Sequence, residues 1–357
     1  MTIKDLAIKA KVSPGTVDRV IHERGGVSEK TKNIINDIIK KNNFKINSVA
    51  SALASKKDYK IATLMPSYED DDFWGSPYLG VKKASSEIKF FGFNVVNYSY
   101  SQTDVKTYLN AFNKLIEEKP NGIVLVPAFN NKTKDILKTL EITKIPYLFL
   151  NINLKGFKNL SFIGQNSFKS GYLAAKLLHT CLGENPQILT IKIASHLKNE
   201  TILERIKGFD GYFQDNQEES SSFNIIFKSI KSKETIFEKL NYTLESNPKI
   251  KGIFVPSGSV GLITTLINKK NKTKFKVIGY DTTPNNLKCL KNNKITFLIS
   301  QKSFNQGYKS IIHMSDFLYK NITPKKKIYS PIEIVTKENL EFVNTYKEEF
   351  EEFYYSK

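Results

Sequence analysis

TIKDLAIKAKVSPGTVDRVIHERGG, residues 2–26, decides the fold at the start of the chain. Ile3, Leu6, Ala7 and Ala10 recur at helical spacing, and Thr2 with Asp5 fits a capping box, in which hydroxyl and carboxylate satisfy opposing orphan amides. Ser13 then offers a second N-cap and Pro14 takes the first helical position, where a missing N–H costs nothing. Val17, Val20 and Ile21 form the apolar stripe behind it, and Gly25-Gly26 ends the helix. Ser28 caps a third helix whose buried face is expected at Ile34, Ile35, Ile38 and Ile39. Three short helices sharing one small core are predicted.

A helix, a tight turn and a capped second helix describe the helix-turn-helix, in which the start of the second helix enters the major groove of DNA. The candidates for that role are Ser13, Pro14, Gly15, Thr16, Asp18 and Arg19, with Thr2 at the start of the first helix. Only three of the 54 basic residues are arginine, at positions 19, 24 and 205. A guanidinium presents a planar fork of donors where an ammonium is a hydrated point charge, so a lysine-rich chain that spends two arginines here needs a shaped donor. Arg19 faces away from Val17 and Val20, where its fork can reach the N7 and O6 acceptors of a guanine. Arg24, in the following loop with His22, suits a phosphate. On these residues alone, a small helical bundle with solvated basic side chains stays open.

The chain has 357 residues, 40% of them hydrophobic, enough for two or three compact units. The net charge of +19 is spread widely through lysine, so part of it is compositional. Residues 1–58 nevertheless carry 12 Lys+Arg against 6 Asp+Glu, a surplus of 6 that leaves 13 for the other 299, so the start is more than twice as basic per residue. No apolar run reaches membrane-spanning length and no secretory pattern opens the chain, which predicts a cytoplasmic protein. Cys181 and Cys289 make neither a metal spacing nor a disulfide framework, and no structural metal and no cofactor are expected. Asp70-Asp71-Asp72 reads as a solvated loop, and the four histidines are scattered. With no nucleophile elbow and no phosphate loop, nothing argues for catalysis.

From Ile61 onward, strand-like runs at 61–65, 93–98, 122–126 and 146–150 alternate with helical stretches, and a second set follows at 187–191, 223–227, 252–255 and 276–280. The fold class is therefore α/β: a small all-α headpiece followed by two doubly wound parallel-sheet lobes. In such sheets ligands bind beyond the carboxyl ends of the strands. The residues there include Phe73, Trp74, Asn130, Asn151, Gln165, Ser257 and Asp281. Amides, hydroxyls, one carboxylate and the only tryptophan make the inventory for gripping a polyol.

The run from Thr2 to Lys57 resembles the DNA-binding headpiece and hinge of the LacI/GalR-type bacterial transcription regulators, without gaps. The family places polar or aromatic base readers where this chain has Pro14 and Gly15, so fewer side chains should read base edges. The same resemblance makes residues 47–54 the hinge that folds on DNA, with Asn47, Ala50 and the minor-groove wedge Leu53. Residues from about 60 to 342 resemble the effector domain of those regulators, of the periplasmic-binding-protein type I kind, through FIGQNSFKSGYLAAKLL (162–178), ERIKGF (204–209) and VIGYDTTPNNLKCLKNNKITFLISQKSFNQGYKSI (277–311). Mapped onto these, Arg205, Asp281 and Gln301 take ligand-contacting places, as do Phe73-Trp74 after the first strand.

The implied organisation is a headpiece at 1–46, a hinge at 47–58, an effector domain at 59–342 and an acidic, aromatic tail at 343–357. Within the effector domain, lobe one is expected at 59–163 plus 298–327 and lobe two at 164–297 plus 328–342. The implied function is a homodimeric repressor on a pseudo-palindromic double-stranded DNA operator, controlled by a small effector, most naturally a sugar. A nucleobase or nucleoside co-repressor and a solute-binding protein without DNA activity are the alternatives. Arg205 with Asp281 also admits a purely structural ion pair.

Overall fold

The computed structural model describes residues 3–21, 25–42, 58–68, 72–194, 199–217, 221–230, 232–268 and 273–343. The chain divides into two compact units, a headpiece within residues 1–57 and a larger body that begins at Asp58.

The headpiece holds α1 (Ile3–Ala10), α2 (Pro14–Ile21) and α3 (Glu29–Lys41). The turn between the first two closes on Lys11 in the left-handed region (φ 54°), with the Val12 N–H donating to Ala7 O at 3.0 Å. Ser13 Oγ accepts from the Thr16 N–H at 3.2 Å, and Ser28 Oγ accepts from the Thr31 N–H at 3.3 Å, so both expected caps form. Leu6, Ala7, Val17, Val20 and Ile35 are buried together, with Ala10, Val12, Ile21, Val27, Ile38 and Ile39 packed around them. Ile34, expected in that core, is 44% exposed. It stands one residue, about 100° of helical rotation, from the fully buried Ile35 and points off the stripe.

The larger body contains two six-stranded sheets. The first, in the order β11-β5-β4-β3-β1-β2, is built from β1 (Tyr59–Pro66), β2 (Phe93–Tyr100), β3 (Gly122–Leu125), β4 (Tyr147–Leu150), β5 (Phe162–Gln165) and β11 (Lys327–Ser330), all parallel. The second, β12-β10-β9-β8-β6-β7, uses β6 (Gln187–Ile193), β7 (Ser221–Phe227), β8 (Gly252–Phe254), β9 (Lys276–Tyr280), β10 (Phe297–Ser300) and β12 (Glu333–Val335). Its last strand runs antiparallel to β10, so this sheet is mixed rather than purely parallel.

Helices cover both faces of each sheet. In lobe one, α4 (Gly75–Ile88) and α12 (Ser303–Lys320) share one face, while α5 (Val105–Glu117) and α6 (Asn130–Thr143) bury Tyr108, Phe112, Leu115, Leu137 and Leu140 against Leu64, Leu125 and Phe149 on the other. In lobe two, α7 (Ser167–Leu182) and α8 (Glu200–Asp215) cover one face, and α9 (Lys233–Ser246), α10 (Val260–Thr265) and α11 (Pro284–Lys291) cover the other. Neighbouring residues divide between the two cores, Leu189, Ile253 and Val277 on one side and Ile188, Phe254 and Ile278 on the other, as the two-residue period of a strand requires. Among the described residues, no helix is long and apolar enough to cross a membrane.

The chain passes between lobes after β5, after β10 and after β11. The expected boundaries had placed 298–327 in lobe one and 328–342 in lobe two. Instead β10 completes itself in the second sheet and β11 in the first. A strand that changed sheets midway would leave backbone N–H and C=O groups unpaired, so the crossings fall after the last laddered residue. The octapeptides QNSFKSGY (165–172) and QKSFNQGY (301–308) sit at the first two crossings and open α7 and α12 in matching fashion.

Candidate functional site

In the headpiece, Pro14 and Gly15 open α2 exposed, Thr16 and Asp18 are half-buried, and Arg19 is exposed. Val17 and Val20 hold the opposite face in the core, at 0% and 5% exposure. Ser13 Oγ and Thr16 Oγ1 share a hydrogen bond of 2.9 Å, which fixes the start of the helix. A β-carbon built on Gly26, whose φ is 90°, would lie 3.9 Å from Arg19 Nη1, so the guanidinium end rests over the turn that follows α2. Thr2, His22, Arg24, Asn47, Ala50 and Leu53 lie outside the described residues.

In the larger body, the carboxyl ends of the strands of both lobes open onto one cleft of about 800 Å³. That is ample for a drug-sized or smaller ligand. Phe73 and Trp74, meeting edge to face with centroids 5.0 Å apart, line it from lobe one. Asn151, Arg205, Ser257, Asp281 and Gln301 line it too.

Arg205 is 2% exposed, its guanidinium carbon 3.7 Å above the Tyr280 ring. Nη1 donates to Pro256 O at 3.0 Å, while Nε and Nη2 find no acceptor. Burial pulls the guanidinium down from its ordinary value, with Tyr280 and Asp281 opposing the shift. Burial likewise raises the Asp281 carboxyl, opposed first by Arg205 and then by the Gln301 hydrogen bond. Both also push on Tyr280, whose phenol burial carries up to about 12. Asp281 Oδ1 accepts from Gln301 Nε2 at 2.6 Å. A β-carbon on Gly258 would stand 2.7 Å from Oδ2, so the glycine leaves room for that oxygen. The two charges attract across a gap and no ion pair closes between them.

One expected ligand residue sits elsewhere. Gln165 does not line this cleft: its Nε2 donates to Ser300 O and Pro331 O, both at 3.0 Å, tying the three lobe crossings together. Asn130 is the first residue of α6, and its side chain lies outside what the structure describes.

The structure adds residues that strand-end reasoning missed. Asn286 Nδ2 donates to the carbonyls of Gly258, Tyr280 and Asp281, each at 2.9 Å, and its Oδ1 accepts from the Gly261 N–H at 2.9 Å. That one amide holds the Asp281 loop, whose backbone is in the left-handed region (φ 71°). Thr201, at the start of α8, lines the cleft and donates to Asn151 O at 3.3 Å. Their signal was weak, since polar residues in the first turn of a helix read equally well as caps.

A helix-turn-helix joined to a two-lobed clamp around a polar cleft defines a ligand-responsive DNA-binding regulator, and comparison with known proteins gives the family. Residues 2–47 match the family of bacterial regulatory proteins, lacI family, and residues 61–319 match the periplasmic binding protein domain. The chain belongs to the LacI family, with a periplasmic-binding-protein-like effector domain: it is a DNA-binding transcription regulator of a non-enzymatic family. It is 24% identical over 354 residues to the ribose operon repressor of Lactococcus lactis, covering 95% of this chain and 98% of that one. A solved structure of a Bacteroides fragilis protein assigned to the LacI regulators superposes with a TM-score of 0.75 at 26% identity, over 81% of this chain and all of that one. A glucose-galactose binding protein from Geobacillus stearothermophilus shares the fold, with a TM-score of 0.70 at 18% identity, over 80% of this chain and 99% of that one.

Proposed function

We propose that the cleft takes a neutral monosaccharide or a close derivative, and that its occupancy sets the affinity of a homodimer for a pseudo-palindromic operator. The observation that carries the ligand class is Arg205: a guanidinium sealed from solvent with two nitrogens lacking acceptors, near a carboxylate with one uncommitted oxygen. Leaving such donors unsatisfied is costly, and a vicinal pair of ligand oxygens, one accepting and one donating, relieves both charges without adding a third. The aromatic pair Phe73-Trp74 suits the C–H face of a sugar ring. The similarity to a ribose operon repressor along nearly the whole chain supports the same reading.

On DNA, Arg19 reads a guanine edge, Ser13, Pro14, Gly15, Thr16 and Asp18 pack against the groove, and Arg24 and His22 hold phosphates. Residues 47–54, with Asn47, Ala50 and Leu53, form the hinge through which the cleft acts on the headpiece. Two headpieces are needed because one makes too few contacts for specificity.

A thermal-shift screen of neutral sugars, sugar acids and nucleosides tests the ligand class. A neutral sugar at about a hundred times its Kd stabilises by about 2.7 kcal/mol, and Arg205→Ala abolishes the shift while operator binding persists. A shift with nucleosides alone overturns the sugar assignment.

A further inference from the structure

Asn151 and Asp281 each follow the strand third from the crossover edge of their sheet, β4 and β9, and each holds a left-handed backbone, φ 65° and 71°. Buried amides connect them. A carboxylate oxygen and a backbone carbonyl share one property, that neither can donate, so any amide facing them must present its nitrogen. Asp281 Oδ1 accepts from Gln301 Nε2 at 2.6 Å, which turns Gln301 Oε1 toward Asn151, whose Nδ2 donates to it at 3.4 Å. Gln301 O accepts from Gln306 Nε2 at 2.9 Å, which leaves Gln306 Oε1 for Asn151 Nδ2, at 3.2 Å.

Two hydrogen-bond chains thus start from obligate acceptors and end on one nitrogen. Both protons of Asn151 Nδ2 are committed. Its Oδ1 accepts no bond among the described residues, and the residue lines the cleft. Gln306 is fully buried and does not line the cleft.

We propose that Gln306 is a positioning residue that locks the Asn151 amide with its oxygen toward the ligand, so that this wall of the cleft selects a hydroxyl donor and rejects a carbonyl or ring-nitrogen acceptor. The inference rests on the cleft being the effector site. It narrows what the effector presents at one place: an O–H group, as a sugar offers and an oxidised or aromatic analogue at that carbon does not. A purely structural tether between lobes would use the same bonds without caring which ligand is bound, and that difference is measurable.

The test uses the full chain, D-ribose and its monodeoxy analogues by calorimetry, in wild type and in Gln306→Met. One deoxy analogue should bind the wild type about tenfold more weakly than ribose, the loss of one hydrogen bond. In Gln306→Met, ribose should lose about tenfold while that analogue loses nothing, since the hydroxyl that needed the lock is already gone. Equal losses for ribose and every analogue would show a structural role and overturn the proposal. A second arm needs neither ligand nor variant: with asparagine selectively labelled with 15N, both Asn151 side-chain N–H protons of the wild type should exchange slowly with solvent. Rapid exchange of either proton overturns the assigned orientation whatever the sugar result. If no sugar binds the wild type, the sugar reading fails, and the exchange measurement still decides the inference.

Discussion

Burial makes the protonation of one carboxylate, Asp281, a matter of fold as well as of pH. Its carboxyl is raised above its ordinary 3.8, chiefly by burial. A raised pKa in the folded state means that the fold holds the proton more tightly than the unfolded chain does. This group's stability contribution is therefore full below 3.8 and is lost as pH rises through the raised value. Ligand recognition has the opposite sign, because a hydroxyl donates to the ionised oxygen. Sugar affinity should be full above the raised pKa and fall as the pH drops through it, at a higher pH than an unperturbed aspartate would give. Asp281→Asn should flatten that profile and weaken binding by roughly 1.5–3 kcal/mol, the value of a hydrogen bond to a charged group, as titration calorimetry across pH would read. In the headpiece, Gly15 has no atom closer than Ser13 Oγ, at 3.8 Å, to a β-carbon built on it, and its φ is not in the left-handed region. Gly15→Ala should then raise headpiece stability by about 0.5 kcal/mol. A fall in operator affinity alongside it, measured by fluorescence anisotropy, is expected if this glycine lets the helix start lie close to the groove.

Among the elements, two helix pairs pack through reciprocal glycines. A β-carbon on Gly171 of α7 would stand 1.9 Å from Arg205 O, and one on Gly208 of α8 would stand 1.9 Å from Phe168 O. In lobe one the same geometry recurs, Gly307 of α12 against Pro77 O at 1.9 Å and Gly80 of α4 against Phe304 O at 2.0 Å. Gly171→Ala and Gly307→Ala should each destabilise by roughly 1–3 kcal/mol, as overpacking does. Only the first moves the residue that carries the guanidinium, so it alone should also remove the sugar-induced thermal shift.

These elements were largely legible in the sequence. Capped, striped helices announced the headpiece, and alternating apolar runs announced eight of the strands. The four strands near the crossings were not read from periodicity: β3, β4 and β8 are as short, but β5, β10, β11 and β12 each carry a polar residue at an end, at Gln165, Ser300, Lys327 and Glu333, which cuts the apolar run short. The cleft residues at strand ends were legible by position. Gln165 was misplaced because a glutamine beyond a strand looks the same whether it faces a ligand or two carbonyls. Asn286 and Gln306 act through the hydrogen bonds they organise, and no spacing pattern encodes that.

For the molecule as a whole, charge predicts how DNA binding responds to salt. Lysines at the start of the chain displace counterions from phosphates, so operator affinity should fall roughly a thousandfold between 50 and 200 mM salt if two headpieces share about six phosphate contacts. A weak salt response in an anisotropy titration would contradict that arrangement. The interleaving of the lobes bears on how the protein is made. Strand β11 is the edge of the first sheet and α12 covers one of its faces, yet both lie beyond residue 300. A nascent chain emerging from the ribosome can assemble the headpiece helices at once, since α1, α2 and α3 follow one another within the first 41 residues, but the lobe that begins at Asp58 must wait for nearly the entire polypeptide with one face uncovered. Synthesis stalled anywhere in between leaves a DNA reader without its control domain.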